Sequence, residues 1–262
     1  MRRLFYLVSI AALLLTGCKD DCGSGFEPTR LGFGIFREAH AQQADIIDCM
    51  DMLRHLDEYI AGNDEQREVL HERYFRDTRI VEFPNIGCWV ITPNGSYYDV
   101  EIYTHSKGLG DEGAVWDVKI VTYDTYPYKR EHRSLSAEYV AADTWALSLW
   151  KLDYTWGYET TSTAELTYRV LSDAQVQIGG SGRFPFAEKV YYNDIDEDLY
   201  ADYTIVKALV FDTDLYRFIS GSYDFRFEYD GSLYTPAAEY GDGQVTVYGG
   251  ENNASNRTYW LY

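Results

Sequence analysis

From about residue 79 onward, apolar and polar side chains alternate along the chain, and this period of two most constrains the fold. In residues 99–102, for example, the order is acid, valine, acid, isoleucine. The same alternation recurs in three further segments: 116–120, 165–170 and 223–229. Strands with one buried face and one solvent-exposed face are typical of antiparallel sheets. We therefore predict a mainly-β fold of about twelve to fourteen strands, arranged as an antiparallel sandwich or as barrel-like sheets.

Turn sequences separate these alternating segments. Pro93-Asn94-Gly95 and Asp230-Gly231 are each typical of a β-hairpin turn, because glycine and asparagine tolerate the left-handed backbone that such turns need. The alternating region contains no helical block between its strands, so folds built from βαβ units are excluded.

Ahead of the strands lies the one clear helical pattern. Apolar residues at spacings of three and four mark a helix near 38–62: Ile46, Met50, Leu53, Leu56 and Ile60. Gly62 suits its end, and Asn63 with Gln66 forms a capping box for a second helix near 64–75. We expect this helical hairpin to cover a face or an edge of the sheet.

The first residues are typical of a secretory signal. Arg2 and Arg3 precede an apolar run over residues 4–15. This run is shorter than the roughly 20 residues that a membrane-spanning helix needs, so residues 1–17 are predicted to be a signal peptide.

The end of that run resembles the lipobox of bacterial lipoproteins: Leu15-Thr16-Gly17-Cys18. The resemblance implies cleavage before Cys18, a diacylglycerol on its thiol and a fatty acid such as palmitate on its amino group. Two or more acyl chains give lasting membrane attachment. The lipid bilayer is thus an expected partner, through acylated Cys18, and an ordinary secretory signal with a chance cysteine is the alternative.

The residues after the lipobox resemble the export signal of surface lipoproteins in Bacteroidetes-type bacteria: Lys19-Asp20-Asp21. The resemblance implies a lipid-anchored protein of the outer membrane, displayed on the cell surface, with the periplasmic leaflet as the alternative. Residues 18–34 contain four glycines and a proline, which indicates a lipidated tether. Residues 35–262 are then predicted to form a single mainly-β domain.

Net charge limits the possible binding partners, and cysteine content limits the possible disulfides. The formal net charge of −19 disfavours nucleic acid and anionic membrane surfaces, which the folded part would repel. If Cys18 is lipidated, three cysteines remain, so at most one internal disulfide can form. Whether Cys49 and Cys88 pair or stay reduced and buried is open from the sequence.

Catalytic motifs are missing from the sequence. It contains no GxSxG, HExxH or GxxxxGK(S/T) pattern. Its five histidines are scattered: His40, His55, His71, His105 and His132. An enzyme is therefore the less favoured interpretation. The class of enzyme considered is a secreted-type hydrolase.

An acidic segment offers a tentative calcium site. Hard cations such as calcium favour closely spaced carboxylates, and the candidate ligands are Asp194, Asp196, Asp198 and Asp202. As an EF-hand the segment fails, because Leu199 replaces the turn glycine and Ile205 replaces the bidentate glutamate. A solvated acidic turn is the alternative, and no other cofactor is expected.

Aromatic residues make up 16% of the chain and crowd the segment 145–158. Both faces of a strand here would be largely apolar, so we expect a strand between two packed layers, with Trp145 and Trp150 buried. Trp156 and Tyr158, where the strand should end, are tentative ligand-binding residues. Core packing is the alternative for every one of these rings.

Three functions follow from these features, in order of preference. The first is a non-catalytic, lipid-anchored outer-membrane or cell-surface protein with a binding or structural role. The second is a glycan-binding surface lipoprotein associated with nutrient uptake, which an exposed pair of coplanar aromatic rings would favour. The third is the hydrolase. Glycans or other surface proteins are the candidate partners.

Overall fold

The computed structural model describes residues 28–95, 98–122, 129–155, 158–186, 200–229, 231–241, 243–248 and 257–260. Two helices come first, α1 (Pro28–Ala61) and α2 (Asp64–Tyr74), and a short 3₁₀ turn (Pro84–Ile86) lies between the first two strands. The strands are β1 (Thr78–Phe83), β2 (Cys88–Pro93), β3 (Tyr98–Tyr103), β4 (Val115–Thr122), β5 (Lys129–Ala141), β6 (Thr144–Thr155), β7 (Tyr158–Ser172), β8 (Gln175–Pro185), β9 (Tyr200–Asp212), β10 (Arg217–Tyr229), β11 (Ser232–Tyr234), β12 (Ala237–Gly241), β13 (Gln244–Tyr248) and β14 (Arg257–Trp260).

All of these strands belong to one antiparallel sheet, in which nearly every strand pairs with its neighbours in sequence. The exception is β11, which pairs only with β10, so that β12 follows β10 in the sheet. The sheet is not closed into a barrel. The mainly-β antiparallel prediction is confirmed, and the Asn94-Gly95 turn lies between β2 and β3 as expected, with Gly95 at φ 73°.

Helix α1 forms the second layer of the fold and starts within the segment that the sequence suggested as a tether. Only a few of its described residues are exposed, and the buried ones cover more than half of its circumference at 100° per residue. They are Ile35, Phe36, Ala39, Gln43, Ile46, Ile47, Cys49, Met50, Met52, Leu53 and Leu56. Such enclosure needs a sheet that curves around the helix, since a flat sheet covers a single stripe.

Contacts from α1 reach strands that lie far apart in the sheet. Near its N-terminal end, the Phe36 ring packs edge-on against Tyr223 of β10, with 6.3 Å between centroids. Near its C-terminal end, Tyr59 packs at the same centroid distance against Trp89 of β2. The helix therefore spans the sheet from β10 to β2. Each of these aromatic contacts stabilises the fold by about 0.5–1.5 kcal/mol beyond the effect of burial.

Two glycines let the sheet bend. Gly180 in β8 and Gly221 in β10 both have φ of 122°, a conformation that residues with a Cβ rarely adopt. They lie on either side of β9, where the register with both neighbouring strands shifts. Such shifts are β-bulges, which increase local twist and bend the strand. We infer that the sheet turns around α1 at this point.

Helix α2 lies across the end of α1. As predicted, the Asn63 side chain accepts from Gln66 N, and the Gln66 side chain accepts from Asn63 N, which completes the capping box. Arg67 donates to the carbonyl oxygens of Tyr59 and Ile60, so it caps the last turn of α1. The α2 helix itself contains no buried residue, and it therefore adds little to the core.

The loop between β3 and β4 is fixed by side chains that donate hydrogen bonds to its backbone. Trp116 Nε1 donates to Lys107 O and Trp145 Nε1 donates to Leu109 O, each at 2.9 Å. Leu109 N in turn donates to Asp57 Oδ1 of α1 at 3.1 Å. Burial raises the pKa of the Asp57 carboxyl, and the bond from Leu109 opposes that shift. These bonds attach the loop to both layers.

Both Trp145 and Trp150 of β6 were predicted to be buried, and the structure confirms only one of them. Trp145 is 5% exposed and belongs to the core, as expected. The prediction for Trp150 is wrong, because this side chain is 42% exposed. The two positions differ in parity and so lie on opposite faces of β6. In the part of the chain that the structure describes, only the face towards α1 is covered, whereas the prediction assumed two packed layers.

Both cysteines of the described part are buried and free. Cys49 lies on α1 within the core, while Cys88 lies on β2. Burial raises the pKa of the Cys49 thiol to about 12, so this thiol stays protonated and unreactive at neutral pH.

Among the residues that the structure describes, no helix combines the length and apolar character needed to cross a membrane.

Candidate functional site: the outer face of the sheet

The candidate site is a row of side chains on the sheet face that points away from α1. Strand registers place these residues directly opposite one another on successive strands from β4 to β9: Lys119, Ser134, Trp150, Thr163, Arg183 and Asp202. We call this set the outer row. Neighbouring strands lie about 4.8 Å apart, so the side chains of the row are close enough to contact one ligand together.

Trp150 is the centre of the outer row. Its direct neighbours across the strands are small hydroxyl residues, Ser134 on β5 and Thr163 on β7. Small neighbours leave the indole ring accessible, which explains its exposure. The described residues provide one exposed tryptophan, not the coplanar pair of rings that would have favoured glycan binding most strongly.

A second row of polar side chains runs parallel to the first, one pleat further along the strands. It consists of Ser136, Ser148, Glu165, Ser181 and Thr204. Within it, Ser148 Oγ donates to Glu165 Oε2 at 2.6 Å. The two rows together form a surface rich in hydroxyl groups, which can both donate and accept hydrogen bonds.

A cation stands on each side of Trp150, two strands away, and each packs on a tyrosine ring. Lys119 Nζ lies 4.9 Å from the ring centroid of Tyr103, and the Arg183 guanidinium lies 4.7 Å from that of Tyr200. Cation–π contacts at exposed positions contribute about 0.5–1 kcal/mol. They favour one orientation of these long side chains and so reduce the conformational entropy that ligand binding would cost.

Carboxylates balance these cations. Glu101 lies opposite Lys119 on β3, and Arg183 Nε lies 3.9 Å from Asp202 Oδ1. The Tyr103 hydroxyl donates to Glu101 Oε2 at 2.9 Å, and this bond is the largest of the causes that raise the pKa of Tyr103 to about 12. With Glu165, Asp117 opposite Ser136 and Arg226 opposite Asp202 included, four carboxylates face three cations, so the surface carries no positive excess.

The residues predicted from the sequence as sites are mostly outside the described part. Cys18, Trp156 and the acids 194, 196 and 198 lie there, as does the side chain of Tyr158, whose backbone begins β7. Asp202 is described, and it is an exposed member of the outer row. Among the described residues, no group of three histidine, cysteine or acidic side chains could hold a metal ion.

A second polar cluster, which the sequence did not single out, lies between α1 and strands β9 to β12. The Tyr203 hydroxyl accepts a hydrogen bond from Gln43 Nε2 at 2.8 Å and donates one to Gln42 Oε1 at 2.7 Å. His40 Nδ1 lies 2.7 Å from the Tyr240 hydroxyl. Gln43 is fully buried, so the cluster belongs to the packed interior, where its directional bonds fix the rotation of α1 against the sheet.

This cluster gives a pH prediction. Burial lowers the pKa of His40 from 6.5 to about 4, so the imidazole that is hydrogen-bonded to Tyr240 is neutral at pH 7. The unfolded state then binds more protons between these two values, and stability falls as pH falls through that window. We expect wild type to lose about 3 kcal/mol between pH 7 and pH 4 relative to His40→Gln, by urea unfolding at each pH. Equal losses in the two proteins would contradict the assignment.

Comparison of the chain with protein-family models, with curated proteins and with solved structures found no match. The function must therefore be argued from the residues and geometry of this chain.

Proposed function

We propose that this protein is a non-catalytic, lipid-anchored protein of the bacterial outer membrane, displayed on the cell surface, whose role is to bind through the outer face of its sheet. The observation that carries the binding role is the exposure of Trp150 at the centre of the outer row. A large apolar ring in water is unfavourable by roughly 1.5–3 kcal/mol compared with a buried one, so a ligand that covers it gains free energy.

The anchor rests on the lipobox residues Leu15-Thr16-Gly17-Cys18, and surface display rests on Lys19-Asp20-Asp21. Only nine residues separate Cys18 from Pro28, where α1 begins. A segment of that length spans at most about 30–36 Å when fully extended, so the folded part would stay close to the membrane surface.

A non-catalytic role is supported by the contacts of two described histidines. His71 Nε2 lies 3.2 Å from Thr78 O. His40 is neutral and bonded to a tyrosine inside the core. These two contacts suit structural roles, since a general base needs a polar group that a substrate can reach.

The anchor is tested by Cys18→Ala in the full-length protein expressed in a diderm bacterium. Wild type should fractionate with the outer membrane, and mass spectrometry should find an acylated mature N-terminus at Cys18. The variant should be released into the soluble fraction or keep its precursor mass. Protease added to intact cells should degrade the wild-type protein. An unmodified wild-type N-terminus would refute the anchor, and protection from protease would refute surface display.

The second candidate function, a glycan-binding lipoprotein associated with nutrient uptake, is favoured by one specific observation. The neighbours of Trp150 are hydroxyl residues rather than the apolar ones that surround an exposed ring in a protein interface. An aromatic ring among hydrogen-bonding groups fits the two faces of a sugar, which offers C–H groups to the ring and hydroxyls to its surroundings.

A further inference from the structure

We propose that the outer row binds an uncharged oligosaccharide chain that lies across strands β4 to β8, with one sugar ring stacked on Trp150. This inference rests on the second candidate function and specifies its ligand.

The direction follows from the register of the sheet. Lys119 and Arg183 lie at the two ends of a straight line through Trp150 that crosses five strands. Four strand spacings of about 4.8 Å make this line roughly 19 Å long. Each spacing is close to the length of one sugar unit in an extended chain. An oligosaccharide of about four units would thus meet a ring at the centre and a hydrogen-bonding side chain at each strand.

The uncharged character follows from electrostatics. Three cations of the surface face four carboxylates, and Lys119 and Arg183 each have a carboxylate close by. The chain as a whole carries a formal charge of −19, so a polyanion would be repelled over the whole approach. Carboxylates remain favourable for a neutral ligand, because each can accept two or more hydrogen bonds from sugar hydroxyls.

The geometry disfavours a second protein on this face. Stable protein interfaces bury about 800 Å² on each partner around an apolar centre. Here Trp150 lies between Ser134 and Thr163, and its neighbours along β6 on the same face are Ser148 and Leu152, so the apolar area is small. A ligand that brings many hydroxyl groups matches this composition better.

The test is affinity electrophoresis of the folded mature protein in gels that contain one soluble polysaccharide each. The neutral probes are xylan, mannan and a mixed-linkage glucan, and the acidic probes are polygalacturonate and chondroitin sulfate. We expect at least one neutral probe to retard wild type and neither acidic probe to do so. Trp150→Ala should weaken that retardation about tenfold or more, the size of effect expected for a binding hot spot.

Val140→Ala is the matched control, because Val140 is an exposed apolar side chain on the neighbouring strand β5, 61% accessible and outside the outer row. It should bind as wild type does. Lys119→Ala and Arg183→Ala should each weaken binding several-fold, whereas Arg169→Ala, further along β7, should not.

Three results would overturn the inference: no retardation by any neutral probe, unchanged binding by Trp150→Ala, or stronger binding of an acidic probe. A dimer in sedimentation that Trp150→Ala dissociates would also overturn it and identify a second copy as the occupant. None of these results depends on membrane fractionation or on protease access to intact cells. A failure of the ligand proposal is therefore distinguishable from a failure of the proposed lipid anchor.

Discussion

Replacing Gly180 or Gly221 by alanine is expected to destabilise the protein by about 3 kcal/mol or more, which is a large fraction of a typical domain's stability. An alanine Cβ at position 180 would lie 2.2 Å from the carbonyl oxygen of Glu165 on β7. At position 221 it would lie 2.7 Å from Leu209 Cα on β9. Both obstacles are backbone, so the strands themselves would have to separate, and each φ of 122° adds strain.

Gly179→Ala is the control for this pair. Position 179 adjoins Gly180 in β8, but an added Cβ would have no atom within 4 Å and its φ is not positive. Thermal and urea unfolding should therefore leave Gly179→Ala within about 1 kcal/mol of wild type. If Gly180→Ala and Gly179→Ala were equally stable, the sheet would not depend on a glycine at its bend.

Trp145→Ala and Trp150→Ala should differ sharply although both lie on β6. Trp145 is buried, packs against Tyr168 with 6.1 Å between ring centroids, and donates its indole N–H to Leu109 O. Its removal leaves a cavity and an unpaired loop carbonyl, so we expect a loss of about 3–5 kcal/mol. Trp150→Ala removes an exposed ring and should cost about 1 kcal/mol or less.

Urea unfolding of the two variants, followed by far-UV circular dichroism, measures this difference directly. Near-equal losses would show that the outer face of β6 is covered in solution. In that case Trp150 would not be available to a ligand, and the candidate site would have to be placed elsewhere.

Much of the fold was predictable because local chemistry determines it. The alternation at residues 99–102 gives Val100 and Ile102 buried side chains in β3, and Asn63 with Gln66 gives a capping box. Such patterns need only the period of a strand or the free N–H groups of a helix end. The parity of positions 145 and 150 was equally readable, since it separates the two tryptophans into different faces.

The sequence did not show which face of β6 would be covered by the second layer. The apolar content of both faces of β6 predicted a packed layer on each side, whereas among the described residues α1 forms a layer on one face of β6 and the other face is uncovered. Helix α1 also begins at Pro28, within a glycine-containing segment that local propensity assigns to a tether. The burial of α1 against the curved sheet overrides the low helix propensity of these glycines. The curvature of the sheet depends on Gly180 and Gly221. Their role is visible only in the structure, which places β9 between their two strands.

The position of α1 inside the sheet has a consequence for the order of folding. His40 contacts Tyr240, two hundred residues later in the chain, and Tyr203 bonds to Gln42 and Gln43. The apolar surface of the first helix therefore stays uncovered until strands near the C-terminus have been made. Pairings of such long range close slowly. If the signal peptide proposed for residues 1–17 directs export of an unfolded chain, this delay is useful, because the segment that crosses the membrane first then cannot complete its core before the last strands have followed it.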